Sequence, residues 1–184
     1  MRRVVFFVIA ACVALLNVGC EPYIVTDQEL VSLQYTTTDG KALELNSKKF
    51  APSMVLNKYD GVGEIFFAGT LKAIYQNAFA NQDRLTMVDL PLGLEGIGEE
   101  AFYGCTNLQT VHIPGTVKRI GDFSFYGCDN LKVVYFYGSE PPALSSNVFD
   151  YESNGALTIC VPKQHQSKYI NKWGSTYSKY IKTF

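Results

Sequence analysis

Two histidines, His112 and His165, are all the imidazole that the 184 residues provide. His112 stands 23 residues after Asp89, and an aspartate beside a histidine can orient the ring as a general base. The two occupy equivalent places in a repeated pattern, which predicts neighbouring strands ~4.7–4.9 Å apart. No serine or cysteine is placed beside them as a nucleophile, and an open surface excludes little water. No catalytic site is expected, therefore, and His165, soon after Pro162, is expected in solvent. Cys105 and Cys128 also stand 23 apart, and so stack one above the other. A disulfide needs Cα atoms ~4.4–6.8 Å apart with suitable vectors. Two buried thiols filling core space are the expectation. No histidine or carboxylate shares their repeat position, so no metal site is expected. No P-loop, GxGxxG, HExxH, GxSxG or CxxC occurs, and no cofactor is implied.

Charge narrows the partners further. Sixteen Lys+Arg against 17 Asp+Glu give a formal charge of −1, without the basic excess of a nucleic-acid binder. Hydrophobic residues make up 47% and aromatics 14%, enough to build a core and to exclude a disordered chain.

What positions these residues is an internal repeat. Ile97 to Cys105 reappears as Ile120 to Cys128, and Ile74 to Gln82 is a diverged copy one step earlier. Leu85, Leu108 and Leu131 keep the frame, as do Val88, Val111 and Val134, and Leu90, Ile113 and Phe136. Val62, Ile65 and Phe67 continue it backwards. Val111-His112-Ile113 alternates apolar, polar, apolar, which predicts a short strand with alternate residues inward. Pro91 and Pro114 end their strands, because proline cannot donate to a ladder. Ile-Gly-x-x-Ala-Phe then predicts a short helical turn, with small Ala78, Ala101 and Ser124 allowing close stacking. The turn is expected to stop at Asn81, Gly104 and Gly127, residue types that tolerate the left-handed conformation. One such coil exposes an apolar face, so coils must stack to bury it. The expected fold is a right-handed α/β solenoid with ~23-residue repeats.

This pattern resembles the leucine-rich repeats of the BspA-like, or Treponema pallidum, type, which read L-x-x-I-x-I-P and then I-G-x-x-A-F-x-x-C. Leu108 to Pro114 and Ile97 to Cys105 carry the match, and the resemblance covers roughly residues 62–162. Residues 29–61 are expected to form an N-terminal β-hairpin cap, with Leu30 to Tyr35 and Ala42 to Leu45 joined at Thr38-Asp39-Gly40. Residues 163–184 are expected to form a helical cap, since Tyr169, Trp173, Tyr177 and Ile181 recur every four residues.

The chain begins with Arg2-Arg3 and an apolar run from Val4 to Leu16, shorter than a bilayer span and of signal-peptide length. Gly19-Cys20 resembles the cleavage site of bacterial lipoproteins. That resemblance implies a leader over 1–19, lipid on Cys20 and a tether over 20–28, with a mature charge of −3. An ordinary secretory leader cut nearby is the alternative.

In stacking order Phe66, Asp89, His112, Tyr135 and Cys160 are expected to project from the concave strand sheet. Phe66, Asp89, His112 and Tyr135 are the candidate ligand-binding residues. A mere cross-strand packing ladder is the alternative, and Tyr103 with Tyr126 forms a rival patch on the opposite side. The resemblance implies a non-enzymatic cell-surface binding or adhesion protein, at the outer membrane or surface of a Gram-negative bacterium. Its partner would be an extracellular or host protein, or a glycan, and a lipid anchor would hold it to the membrane. A carbohydrate-binding or envelope-scaffold lipoprotein within a surface complex is the alternative.

Overall fold

The computed structural model describes residues 32–149 and 157–184; the expected leader, Cys20 and the tether lie outside the described residues. Among the described residues there are thirteen strands. The longer ones are β1 (Ser32–Thr37), β3 (Met54–Asp60), β4 (Val62–Phe67), β6 (Leu85–Asp89), β8 (Thr110–Ile113), β10 (Val133–Phe136), β12 (Thr158–Val161) and β13 (Ile181–Thr183). They form one eight-stranded sheet in the order β13-β12-β10-β8-β6-β1-β4-β3. Two-residue strands β2 (Phe50–Ala51), β5 (Ala73–Ile74), β7 (Gly96–Ile97), β9 (Arg119–Ile120) and β11 (Ala143–Leu144) form a second sheet in the order β11-β9-β7-β5-β2.

The repeat frame predicts this core. Strands β6, β8, β10 and β12 are parallel, with Val88, Val111, Val134 and Ile159 aligned and fully buried. Ile74, Ile97 and Ile120 do the same for the second sheet. Between the two sheets runs a stack of phenylalanines. Phe79, Phe102, Phe125 and Phe149 lie face to face, with centroids 4.8, 5.0 and 5.5 Å apart. Phe50 closes one end edge-on at 5.5 Å, and Tyr177 closes the other at 5.8 Å. The result is a solenoid-like stack of coils in which each buries its neighbour's apolar side.

Three expectations need correction. The Ala-Phe segments are not helical turns. Asn77, Glu100 and Phe123 each take positive φ (60°, 53° and 55°), which ends any helix before its first turn closes. Backbone donors then alternate between their own turn and the next coil. Phe79 N–H donates to Ala101 O at 2.7 Å and Asn81 N–H to Tyr103 O at 2.7 Å, while Ala78 and Ala80 bond within their own coil. The architecture is accordingly a sheet-rich mixed fold, and among the described residues its α-helical segment is α1 (Gln166–Ser178), kinked at Gly174, where φ is 61° and ψ −156°. The expected left-handed stops are present: Asn81, Gly104 and Gly127 have φ of 59°, 67° and 70°.

The second correction concerns the hairpin. Residues 42–45 form no strand, and β1 pairs instead with β4 on one side and β6 on the other, antiparallel to both. Side chains occupy the hydrogen-bonding groups that a strand at 42–45 would have used. Leu43 N–H donates to Tyr35 Oη at 3.1 Å, and Asn57 Nδ2 donates to Leu43 O at 2.7 Å. The hairpin at this end is formed by β3 and β4, turning at Gly61.

The third lies at the far end. Tyr169, Trp173 and Tyr177 bury one face of α1, but Ile181 belongs to β13, which adds to the sheet in parallel with β12. Tyr169 Oη donates to Gly138 O at 2.9 Å and Trp173 Nε1 to Pro142 O at 3.0 Å, so the rings lie over the last coils with their polar atoms satisfied.

Candidate functional site

On a strand, alternate residues share a face, so the residues between the buried valines point outward. Register brings Asp89, His112, Tyr135 and Cys160 side by side across β6, β8, β10 and β12, and Lys182 of β13 extends the row. Phe66 is not in it. Insertion of β1 places Gln34 beside Asp89 and Glu64 beside Gln34, which leaves Phe66 level with Ser32, two residues further along β4. There the Lys58 ammonium sits 5.2 Å from the Phe66 ring centre.

His112 and Tyr135 stack with centroids 4.8 Å apart and planes within 8°. Tyr137 follows Tyr135 by two residues and so returns to the same face; its backbone N–H extends the ladder by donating to Ile113 O at 3.1 Å. Its ring lies parallel to His112 at 5.9 Å and to Tyr135 at 6.3 Å. The Tyr137 hydroxyl is 2.7 Å from His112 Nδ1, a hydrogen bond the hydroxyl donates when that nitrogen carries no proton. Phe184, anchored by its N–H to Val161 O at 3.2 Å, meets Tyr135 and Tyr137 edge-on at 6.1 and 5.6 Å. Tyr137 is 47% exposed and Phe184 55%, so the cluster is a surface platform and not core. Burial against its neighbours, with the Asp89 charge nearby, pushes the Tyr137 phenol up.

Residue spacing accounts for Asp89, His112 and Tyr135. It missed the other half of the platform: Tyr137 was detectable from strand alternation past Phe136, whereas Phe184 depends on a strand outside the repeat. Cys160, between Tyr135 and Lys182 in the row, is half-buried, its thiol pushed up by burial. The rival pair Tyr103 and Tyr126 also stacks, at 6.1 Å, on the turn side.

Cys105 and Cys128 are buried thiols, each donating to a carbonyl of the preceding coil: Phe79 O at 3.1 Å and Phe102 O at 3.2 Å. Neighbouring Cys105 and burial together push the Cys128 thiol well up. On a third side, Lys72, Glu95 and Lys118 occupy one repeat position. Glu95 bridges both lysines, at 2.9 and 2.6 Å, and they hold its carboxyl down at about 2. Among the described residues no three His, Cys, Asp or Glu side chains gather where a metal could bind, and no helix is long and apolar enough to cross a membrane.

Comparison with curated proteins returns no match. The model of the BspA type leucine rich repeat region matches residues 55–172 in six copies, from β3 into α1 and across the phenylalanine stack just described, and the chain belongs to that family.

Proposed function

We propose that this protein is a non-enzymatic cell-surface binding protein that holds a protein partner on the outer face of its strand sheet, centred on His112, Tyr135, Tyr137 and Phe184. The observation that carries this reading is an exposed aromatic platform already stacked in place. Rings held by one another lose little freedom on binding, and aromatic anchors dominate protein interfaces. Leucine-rich repeats imply an interaction role, and the residues beside His112 in the row are Asp89 and Tyr135, neither a serine nor a cysteine. The mutual stacking also favours protein over sugar: the ring faces a sugar would cover already meet other rings, so edges and hydroxyls are what the surface offers. Asp89 and Phe66 lie at the rim.

The same reading makes Cys20 the lipidated N-terminus, holds the domain at the outer membrane of a Gram-negative bacterium, and gives the coils the right-handed course that parallel crossovers almost always take. Adhesion to an extracellular or host protein is the role it serves.

A binding screen of residues 21–184 against extracellular-matrix proteins and glycan arrays tests this. The ligand it returns is then assayed with His112→Ala/Tyr135→Ala against Tyr103→Ala/Tyr126→Ala, each checked for intact folding. Truncating one anchor aromatic costs at least ~2 kcal/mol, about thirtyfold in affinity, so the first pair should lose that much or more. Loss confined to the second pair would place the site on the turn side and overturn the proposal.

A further inference from the structure

The platform is bordered on the β6 side by a cavity of about 380 Å³, lined by Ser32, Gln34, Asp89, Leu90, Pro91 and Leu92. Leu92 is 75% exposed, a large apolar side chain held in solvent with proline beside it. Ser32, Gln34 and Asp89 supply the polar part of the lining.

Asp89 differs from Glu64, the other carboxylate of the same outward row. Glu64, on the far side of Gln34, is 2.9 Å from Lys58 and also accepts from Gln34 Nε2 at 3.4 Å. Asp89 has no ion pair and no side-chain hydrogen bond among the described residues. It is exposed, and it shares the cavity's lining with Leu90, Pro91 and Leu92.

We propose that this cavity receives an arginine or lysine side chain of the protein partner, with Asp89 as its counter-ion, and so sets which partners the platform accepts. The inference rests on the outer-face reading above. A long basic side chain matches the lining part by part. Its methylenes lie along Leu92 and Pro91, and its charged end meets the carboxylate with Gln34 Oε1 and the Ser32 oxygen as further acceptors. An anionic or neutral side chain leaves Asp89 without a partner, so the same carboxylate discriminates against it. Geometry also fixes the spacing. Asp89 and Tyr135 lie two strands apart, ~9.6 Å at the usual strand separation, and an extended peptide covers ~10 Å in three residues. The partner segment therefore carries its basic residue three positions from the apolar residue that rests on the platform.

Four capped peptides test this by chemical-shift titration of the ¹⁵N-labelled protein: acetyl-Arg-Ser-Gly-Leu-amide and its counterparts with Gln for Arg, Glu for Arg, and Gly for Leu. The Arg peptide should bind about tenfold or more tightly than the Gln peptide, and the Glu peptide most weakly. Shifts should centre on Gln34, Asp89 and Leu92. In Asp89→Asn the advantage of Arg over Gln should vanish, while the advantage of Leu over Gly survives; in Tyr135→Ala the reverse should hold. Equal binding of the Arg and Gln peptides overturns the cavity assignment and leaves the platform reading standing. Equal binding of the Leu and Gly peptides, with the Arg preference intact, leaves the cavity without its platform and overturns the proposed spacing. Binding of none of them overturns the proposal.

Discussion

Phe79 and Phe102 stack face to face, centroids 4.8 Å apart and planes within 7°, although 23 residues separate them. Phe125 continues the stack on the other side of Phe102 at 5.0 Å. Phe102 is therefore enclosed by its own equivalents, with no exposed surface. Phe102→Ala should cost ~3–5 kcal/mol, the usual loss for emptying an aromatic core site. Because coils support one another through their neighbours, the loss should loosen both adjacent coils. Thermal unfolding with hydrogen exchange measures both; a melting temperature within a degree of the parent would refute the packing.

The coils also meet backbone to backbone. A Cβ added to Gly121 would lie 2.6 Å from Glu99 N and 2.8 Å from Gly98 C, atoms that no side-chain rotation can move. Gly121→Ala should destabilise by ~1–3 kcal/mol, as overpacked sites do. Denaturant titration should show a lower midpoint, and an unchanged midpoint would mean that the coils can separate without cost.

Glu95 gives the fold a pH-dependent contribution. Lys118 and Lys72 hold its carboxyl at about 2, below the ordinary 4.5. A depressed folded value means that the pairs stabilise fully above about pH 4.5 and that their contribution is lost as pH falls towards 2. Melting temperatures of the parent and Glu95→Gln should differ at neutral pH and converge near pH 2. Salt should narrow the gap, since the groups are exposed.

Thiol reactivity should follow burial. Cys105 and Cys128 are enclosed and hydrogen-bonded to carbonyls, whereas Cys160 is only half-buried in the outer row. A thiol-specific alkylating reagent should label Cys160 first, faster as pH rises because its thiol is pushed up. Peptide mass mapping should find Cys105 and Cys128 labelled only after unfolding. Early labelling of either would contradict the core described.

The expected anchor is tested separately from the fold. Cys20→Ala should release the protein from the membrane fraction, and mass spectrometry should find no lipid on it; multiple acyl chains make attachment stable. A variant that stays membrane-bound to the same degree would rule out Cys20 as the attachment point.

What the sequence by itself determined is whatever recurs. An offset of 23 residues repeats the same neighbour relation, so the buried valines, the phenylalanine stack, the left-handed stops and the outward row of Asp89, His112 and Tyr135 follow from spacing alone. Tertiary structure decided what does not recur. The apolar pattern of the Ala-Phe segments suits a helical turn equally well, and only the next coil's carbonyls, accepting from every second N–H, select the open turn instead. Likewise β1 finds partners on both sides, β4 and β6, because the stack's first coil leaves a sheet edge unpaired and a buried backbone must be satisfied. That insertion displaces Phe66 from the row and brings Gln34 beside Asp89. At the other end β13 extends the sheet and sets Phe184 against Tyr137. Both pairings join segments with no periodic relation, and their register is set by which edge hydrogen bonds and apolar surfaces the folded coils leave open.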